Sequence, residues 1–168
     1  LVWDRKGKDV HAENVTDRYA TKKASSEKVR VQIRVRREGT MERVALPGLD
    51  DSKQVPVAAR ERLDAAIRAQ AVAIGVGEVW PPELDRLNVY HAALEAMRRA
   101  VLALTPQPDH VLVDARTIPG IAAPQTPLVR GDASDGSIAA ASIVAKVHRD
   151  AIMARLERVH PGYGFVRH

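Results

Sequence analysis

The sequence predicts an α/β or mixed α+β domain, and two observations carry that expectation. The chain has 168 residues, of which 45% are apolar, enough to bury a core of its own. From residue 47 onward, stretches with apolar residues at helical spacing alternate with short apolar runs. Such alternation implies a sheet layer covered by helices.

The elements follow in order. Residues 1–28 show neither a helical nor a strand period, and Lys22-Lys23-Ala24-Ser25-Ser26-Glu27-Lys28 reads as a solvated tail or loop. From Val29 to Arg36 the pattern alternates, with Val29, Val31, Ile33 and Val35 on one face and Arg30, Gln32, Arg34 and Arg36 on the other. This is the pattern of a strand with one wet face. Glu38-Gly39-Thr40 can turn it into Met41–Leu46 as a hairpin. Pro56 suits the first turn of a helix carrying Ala59, Leu63, Ala66, Ile67 and Gln70. The apolar run Ala71–Val79 contains Gly75 and Gly77 and predicts a strand that other backbone approaches closely.

Pro81-Pro82 opens a long helix whose stripe is Leu84, Leu87, His91, Leu94, Met97, Val101 and Leu104, ending before Pro106. His91 lies on that stripe and is expected in the core. His110–Asp114 and Thr126–Arg130 are short strands, the second leading into Gly131-Asp132. Ser137 is the expected cap of a last helix running to about Val159. Its Ala139-Ala140-Ala141-Ser142 face would allow close approach to the sheet.

Net charge is +5, from 26 Lys and Arg against 21 Asp and Glu, a balance that suggests a polyanionic partner. The excess is local: residues 1–46 hold 12 basic and 7 acidic side chains, and residues 47–168 hold 14 of each. All ten prolines also lie at position 47 or later. These two breaks divide the chain into an atypical basic segment, residues 1–46, and a core, residues 47–168. The absence of cysteine excludes disulfides, iron–sulfur clusters and thiolate zinc sites, so any metal must sit on oxygen or imidazole. No stretch has the apolar length of a signal core or a membrane span. The reading is a cytoplasmic monomer with no membrane partner.

Asp114 and Asp132 each follow a short apolar run. If the two strands are neighbours with one direction, both carboxylates emerge at one sheet edge and suit Mg²⁺ or Mn²⁺. By spacing alone, an aspartate after a strand is more commonly a turn former or helix cap.

Longer segments carry a resemblance. Leu49-Asp50-Asp51-Ser52-Lys53, Asp85-Arg86-Leu87-Asn88 with Ala96-Met97-Arg98-Arg99-Ala100-Val101, and Pro108-Asp109-His110-Val111-Leu112-Val113-Asp114 are similar to segments of ribonuclease HII. Arg130-Gly131-Asp132 resembles the family's Lys-Gly-Asp. Most specific are Ser137–Asp150, reading Ser-Ile-Ala-Ala-Ala-Ser-Ile-Val-Ala-Lys-Val-His-Arg-Asp, and Pro161-Gly162-Tyr163-Gly164-Phe165. They occur in family order across residues 47–168.

The resemblance implies a ribonuclease-H-like mixed sheet flanked by helices. It also implies a two-metal-ion endonuclease that cuts the RNA strand of RNA–DNA hybrids, or DNA with embedded ribonucleotides. Asp114 and Asp132 would be its catalytic, metal-binding residues, served by Mn²⁺ or Mg²⁺. Ser52, Lys53, Arg130, Lys146 and Tyr163 would contact nucleic acid. Each of these has a plainer reading as well. Ser52 can cap a helix and Lys53 be solvated; Arg130 can tune Asp132; Lys146 can pair with Asp150 one turn on; Tyr163 can pin its Gly-flanked turn. His148 is either exposed or faces the hybrid.

The likeness fails in three places. Nothing in residues 1–46 matches the family's Asp-Glu-Ala-Gly-Arg-Gly, Asp17-Arg18 being the nearest echo. Arginine at alternate positions makes Val29–Arg36 unsuited to a strand covered on both faces. Beyond Arg167-His168 the family continues into a Lys-Gly-Tyr segment, and Ala115-Arg116-Thr117 stands where Gly-Asn-Arg is common. With two of four acidic ligands unmatched, the chain is expected to cleave poorly or not at all; the alternative reading is a non-catalytic nucleic-acid-binding remnant.

Overall fold

The computed structural model of the chain describes residues 32–37, 40–49 and 52–167. The readings made for residues 1–31, including Asp17-Arg18 and the first part of the Val29–Arg36 run, lie outside these, as do Asp50 and Asp51.

Strands β1 (Gln32–Arg37) and β2 (Thr40–Ala45) pair antiparallel, with Gln32 opposite Ala45 and Arg37 opposite Thr40. After Leu46 and Leu49, both buried, the chain enters helix α1 (Val57–Gln70). Pro56 starts it well, because its fixed φ of −58° suits the approach and its carbonyl accepts the Ala59 and Arg60 N–H groups. Leu63 and Ile67 face inward one turn apart and pack on Ala139, Ala140, Ile143 and Val144 of helix α4 (Gly136–Val159). Ala140 is 0% exposed. The small side chains of Ala139 and Ala140 do allow a close approach, but to helix α1 and not to the sheet that the sequence predicted.

Arg60 is also buried here, only 9% exposed. Its Nη1 donates to the Ser52 carbonyl at 3.0 Å, and its Nη2 lies 3.6 Å from Asp150 of α4. Asp150 meanwhile accepts from Lys146 at 2.6 Å. The Lys146–Asp150 pair is thus part of a bridge between two helices and the turn before α1. A buried guanidinium is costly unless its donors are met, and this fork meets two partners at once.

Residues 71–80 form no strand among the described residues, which corrects the expectation for Ala71–Val79. The reason lies in their glycines. A Cβ at Gly75 would stand 1.9 Å from the carbonyl oxygen of Ala100, and one at Gly77 would stand 2.0 Å from that of Ala96. The segment spends its close approach on a helix backbone instead of a neighbouring strand.

That helix is α2 (Pro81–Leu102), which breaks at Asn88, where φ is 63° and ψ is 165°. Asn88 restarts the helix by accepting the His91 N–H on its side-chain oxygen at 3.1 Å, a cap at its new first turn. The break resets the phase of the stripe. His91 is consequently exposed, not in the core as its spacing predicted.

Strands β3 (Val111–Asp114) and β4 (Gln125–Leu128) are parallel, Val111 opposite Gln125 and Asp114 opposite Leu128. Val111 and Val113 bury their side chains with Val101 of α2 and with Ile118. The Gln125 amide bonds both the N–H and the carbonyl of Ile118, at 2.7 and 2.8 Å, so it closes the connecting loop as a strand partner would. β4 starts and ends earlier than the expected Thr126–Arg130, and Arg130, left-handed with φ 56°, lies beyond it. A short turn of helix, α3 (Gly131–Ser134), leads to α4. The cap of α4 is Asp135, not Ser137: its Oδ1 accepts the N–H groups of Ser137 and Ile138 at 2.8 and 3.1 Å. A carboxylate at this position also favours the positive end of the helix dipole.

Gly77→Ala should be strongly damaging for a single added methyl. We expect it to lower unfolding stability by about 3 kcal/mol, the upper range for overpacking, because the clashing atom is backbone that cannot rotate away. Urea denaturation of the variant checks this; a loss below about 0.5 kcal/mol would contradict the packing described.

Candidate functional site

Because β3 and β4 run in the same direction, their C-terminal ends share one edge of the sheet, where ligands of α/β folds commonly bind. Asp114 is the last residue of β3. Asp132 lies in the first turn of α3, four residues beyond the end of β4. One hydrogen bond joins the two exits: the Gly131 N–H donates to Asp114 Oδ1 at 2.9 Å. The peptide next to Asp132 is therefore held against the Asp114 carboxylate.

The backbone is bent sharply at both aspartates. Ala115, with φ 62°, directly follows Asp114, and Arg130, with φ 56°, stands two residues before Asp132. Left-handed conformations in residues with a Cβ are costly and gather at functional sites. At Ala115 the bend is held by two hydrogen bonds, Ala115 N–H to the Leu128 carbonyl and Arg116 N–H to the Asp114 carbonyl, both at 2.8 Å. A Cβ at Gly131 would lie 2.4 Å from Ile138 Cδ1, so the end of that side chain would have to shift to admit one.

The Asp114 carboxylate accepts one hydrogen bond, and the Asp132 carboxylate has no hydrogen bond or ion pair among the described residues. Two half-buried carboxylates with free oxygens are a donor set that fits a hard divalent cation. No group of three or more His, Cys, Asp or Glu side chains gathers among the described residues. Nearby, burial pushes the Asp135 carboxyl above the usual range, although its two backbone donors pull the other way.

Of the remaining residues singled out from the sequence, Ser52 and Lys146 are joined through the Arg60–Asp150 bridge. Ser52 is buried and Lys53 exposed on the turn held by Arg60. Arg130 is exposed beside Gly131, and Lys146 is engaged with Asp150 on α4. Tyr163 is 75% exposed and stacks on Phe165 with ring centroids 5.6 Å apart. Its turn is pinned by Glu157, whose carboxylate accepts the Phe165 N–H at 2.6 Å.

One polar link has no signal in sequence spacing. His148 of α4 meets Glu78 at 2.6 Å, and Glu78 also accepts from Trp80 at 2.9 Å. Seventy positions separate the pair, and only the packing of residues 71–80 brings them together. The hydrogen bond from His148 is the main cause holding the Glu78 carboxyl below its ordinary value.

The parallel pair β3–β4 with helices packed around it makes this a mixed α/β fold of the ribonuclease H2 type. Comparison with known proteins agrees. The solved ribonuclease H2 from Pyrococcus horikoshii OT3 superposes with a TM-score of 0.56 at 26% identity, over 70% of this chain and 62% of that one. A ribonuclease HII from Geobacillus thermodenitrificans (strain NG80-2) is 57% identical over 123 residues, 73% of this chain and 47% of the relative. Another, from Anaeromyxobacter sp. (strain Fw109-5), is 54% identical over 72% of this chain and 38% of its own length. The family model described as Ribonuclease HII matches residues 11–168, reaching well before residue 47. The chain belongs to the ribonuclease HII family. The matches span less than half the length of these two relatives.

Acid should weaken the fold through its glutamates. Arg98 first, and Arg99 with it, lower the Glu95 carboxyl from 4.5 to about 2. A carboxylate depressed in the folded state contributes stability above its unfolded pKa, and that contribution is lost as pH falls toward the folded value. The urea midpoint should therefore drop as pH is lowered from 4.5 toward 2, and Glu95→Gln should flatten part of the drop. An identical pH profile for the variant would contradict this.

Proposed function

We propose that this chain carries half of the hydrolytic site of an endonuclease acting on the RNA strand of RNA–DNA hybrids, including single embedded ribonucleotides. In this reading Asp114 and Asp132 hold Mg²⁺ or Mn²⁺. The observation that carries it is the Gly131 N–H bond to Asp114, which ties the exits of two parallel strands at one edge. When bound, divalent cations supply activation of water and stabilisation of the leaving oxygen. Asp114 serves by presenting Oδ2 while Gly131 fixes Oδ1, and Asp132 serves by an uncommitted carboxylate. Water attacks the phosphorus 5′ to the ribonucleotide, the bond to the upstream 3′ oxygen breaks, and 3′-hydroxyl and 5′-phosphate ends result.

Lys53 and Arg130, both exposed, are suited to backbone phosphates. Lys146 would exchange Asp150 for phosphate, and the exposed Tyr163 would stack on a sugar or base. Ser52, being buried, would act through the turn it forms with Lys53. Residues 47–168 are the core of this reading, with 1–46 a separate basic segment, and the chain acts as a cytoplasmic monomer. No helix among the described residues is long and apolar enough to cross a membrane. A second reading, a non-catalytic nucleic-acid binder, is favoured by the lack of a third acidic ligand among the described residues.

A nicking assay on a duplex with one embedded ribonucleotide, in Mn²⁺, tests the proposal. The 168-residue chain alone should be slower by on the order of 100-fold or more than the same chain supplied with a segment bearing the family's acidic pair. Asp114→Asn should abolish the supplied activity. Nicking that survives Asp114→Asn would refute the role of Asp114, and binding without any supplied cleavage would select the second reading.

A further inference from the structure

Three non-glycine residues of the described chain have left-handed backbone, Asn88, Ala115 and Arg130. Two flank the aspartates. The third, Asn88, directs the start of the second half of α2, where Tyr90 and Val89 stand exposed. The bends at Asn88 and Ala115 meet in one contact: the Arg116 guanidinium carbon lies 5.8 Å from the centroid of the Tyr90 ring. Arg116 is exposed, and Tyr90 is 50% exposed.

The chemistry of this contact is specific. Arg116 is two residues from Asp114, with its N–H bonded back to the Asp114 carbonyl, yet it forms no ion pair with that carboxylate or any other among the described residues. An arginine paired with Asp114 would neutralise a cation ligand. An aromatic face attracts the guanidinium without occupying its N–H donors as an oxygen acceptor would. The arginine thus stands two residues beyond Asp114 on the Tyr90 ring, with its phosphate-binding edge available.

We propose that Arg116 contacts a backbone phosphate of the nucleic acid lying across Asp114, and that Tyr90 is the positioning residue that holds it there. The inference rests on the hydrolase reading and adds to it a residue pair joining α2 to the strand-end site. The sequence marks Arg116 only as part of a departure from the family's Gly-Asn-Arg and does not mark Tyr90; their contact, between residues far apart in the chain, is visible only in the structure.

The test is binding of the full chain to a labelled RNA–DNA hybrid, by fluorescence anisotropy, across a salt series. Each phosphate contact contributes roughly 0.9 to the magnitude of the slope of log affinity against log salt. Arg116→Gln should lower that magnitude by about one, and Arg68→Gln, which removes the same charge from α1, should leave it unchanged. Tyr90→Ala alters no charge and should lower the slope in the direction of Arg116→Gln, whereas Tyr90→Phe, which keeps the ring, should match the parent. If the parent binds and Arg116→Gln leaves the slope intact, the proposal is overturned while the hydrolase reading stands. If the parent fails to bind hybrid at any salt, both fall. Equal slopes for Tyr90→Ala and Tyr90→Phe overturn the positioning role, and a fall in Arg116→Gln accompanied by loss of cooperative thermal unfolding counts against the contact.

Discussion

The hydrogen bond from the Gly131 N–H to Asp114 is the constraint from which the site follows. Parallel pairing alone brings two strand ends to one edge, but it leaves the segments beyond them free to diverge. A charge-assisted bond, stronger than a neutral one, sets the direction of the chain beyond β4 just before Asp132. The left-handed turn at Arg130 is needed to aim that N–H, and the absent side chain of Gly131 leaves room for Ile138. Local strain and close packing are thus balanced at one peptide.

Behind that edge, helix α4 joins the parts. Its alanines receive α1, its Asp135 cap adjoins the end of α3, and its Asp150 receives Arg60. Arg60 connects three pieces that hydrophobic packing would leave free to slide: the Ser52 turn, the first turn of α1 and the middle of α4. A leucine could fill its volume, but it would not choose a register. Buried charge of this kind contributes more to uniqueness of arrangement than to net stability, and the double engagement of Arg60 is the arrangement in which that role makes sense.

Much of this was legible in the sequence where one physical signal dominated. The apolar run of β3, the spacing of Leu63 and Ile67 and the small residues at 139 and 140 all describe burial, and burial is what periodicity reports. The errors arose where a local bond overruled the period. The stripe through His91 assumed one continuous helix, and the Asn88 cap shifted its phase. Ser137 looked like a cap, but Asp135 offers a carboxylate to the same N–H groups from a better position. Residues 71–80 carry the apolarity of a strand, while their glycines serve a helix crossing. The two aspartates could be named from the resemblance, but their link through Gly131 could not, because a main-chain donor leaves no letter in the sequence.

The loop between β3 and β4 illustrates a different property. With Gln125 bound to both polar groups of Ile118, residues 118–125 form a closed ring hung from the second strand. Change inside such a ring is absorbed within it, because lengthening a loop costs only logarithmically in entropy once its ends are joined. The side-chain clasp closes the connection on itself, so the alignment of the strand ends does not depend on the path the loop takes between Ile118 and Gln125.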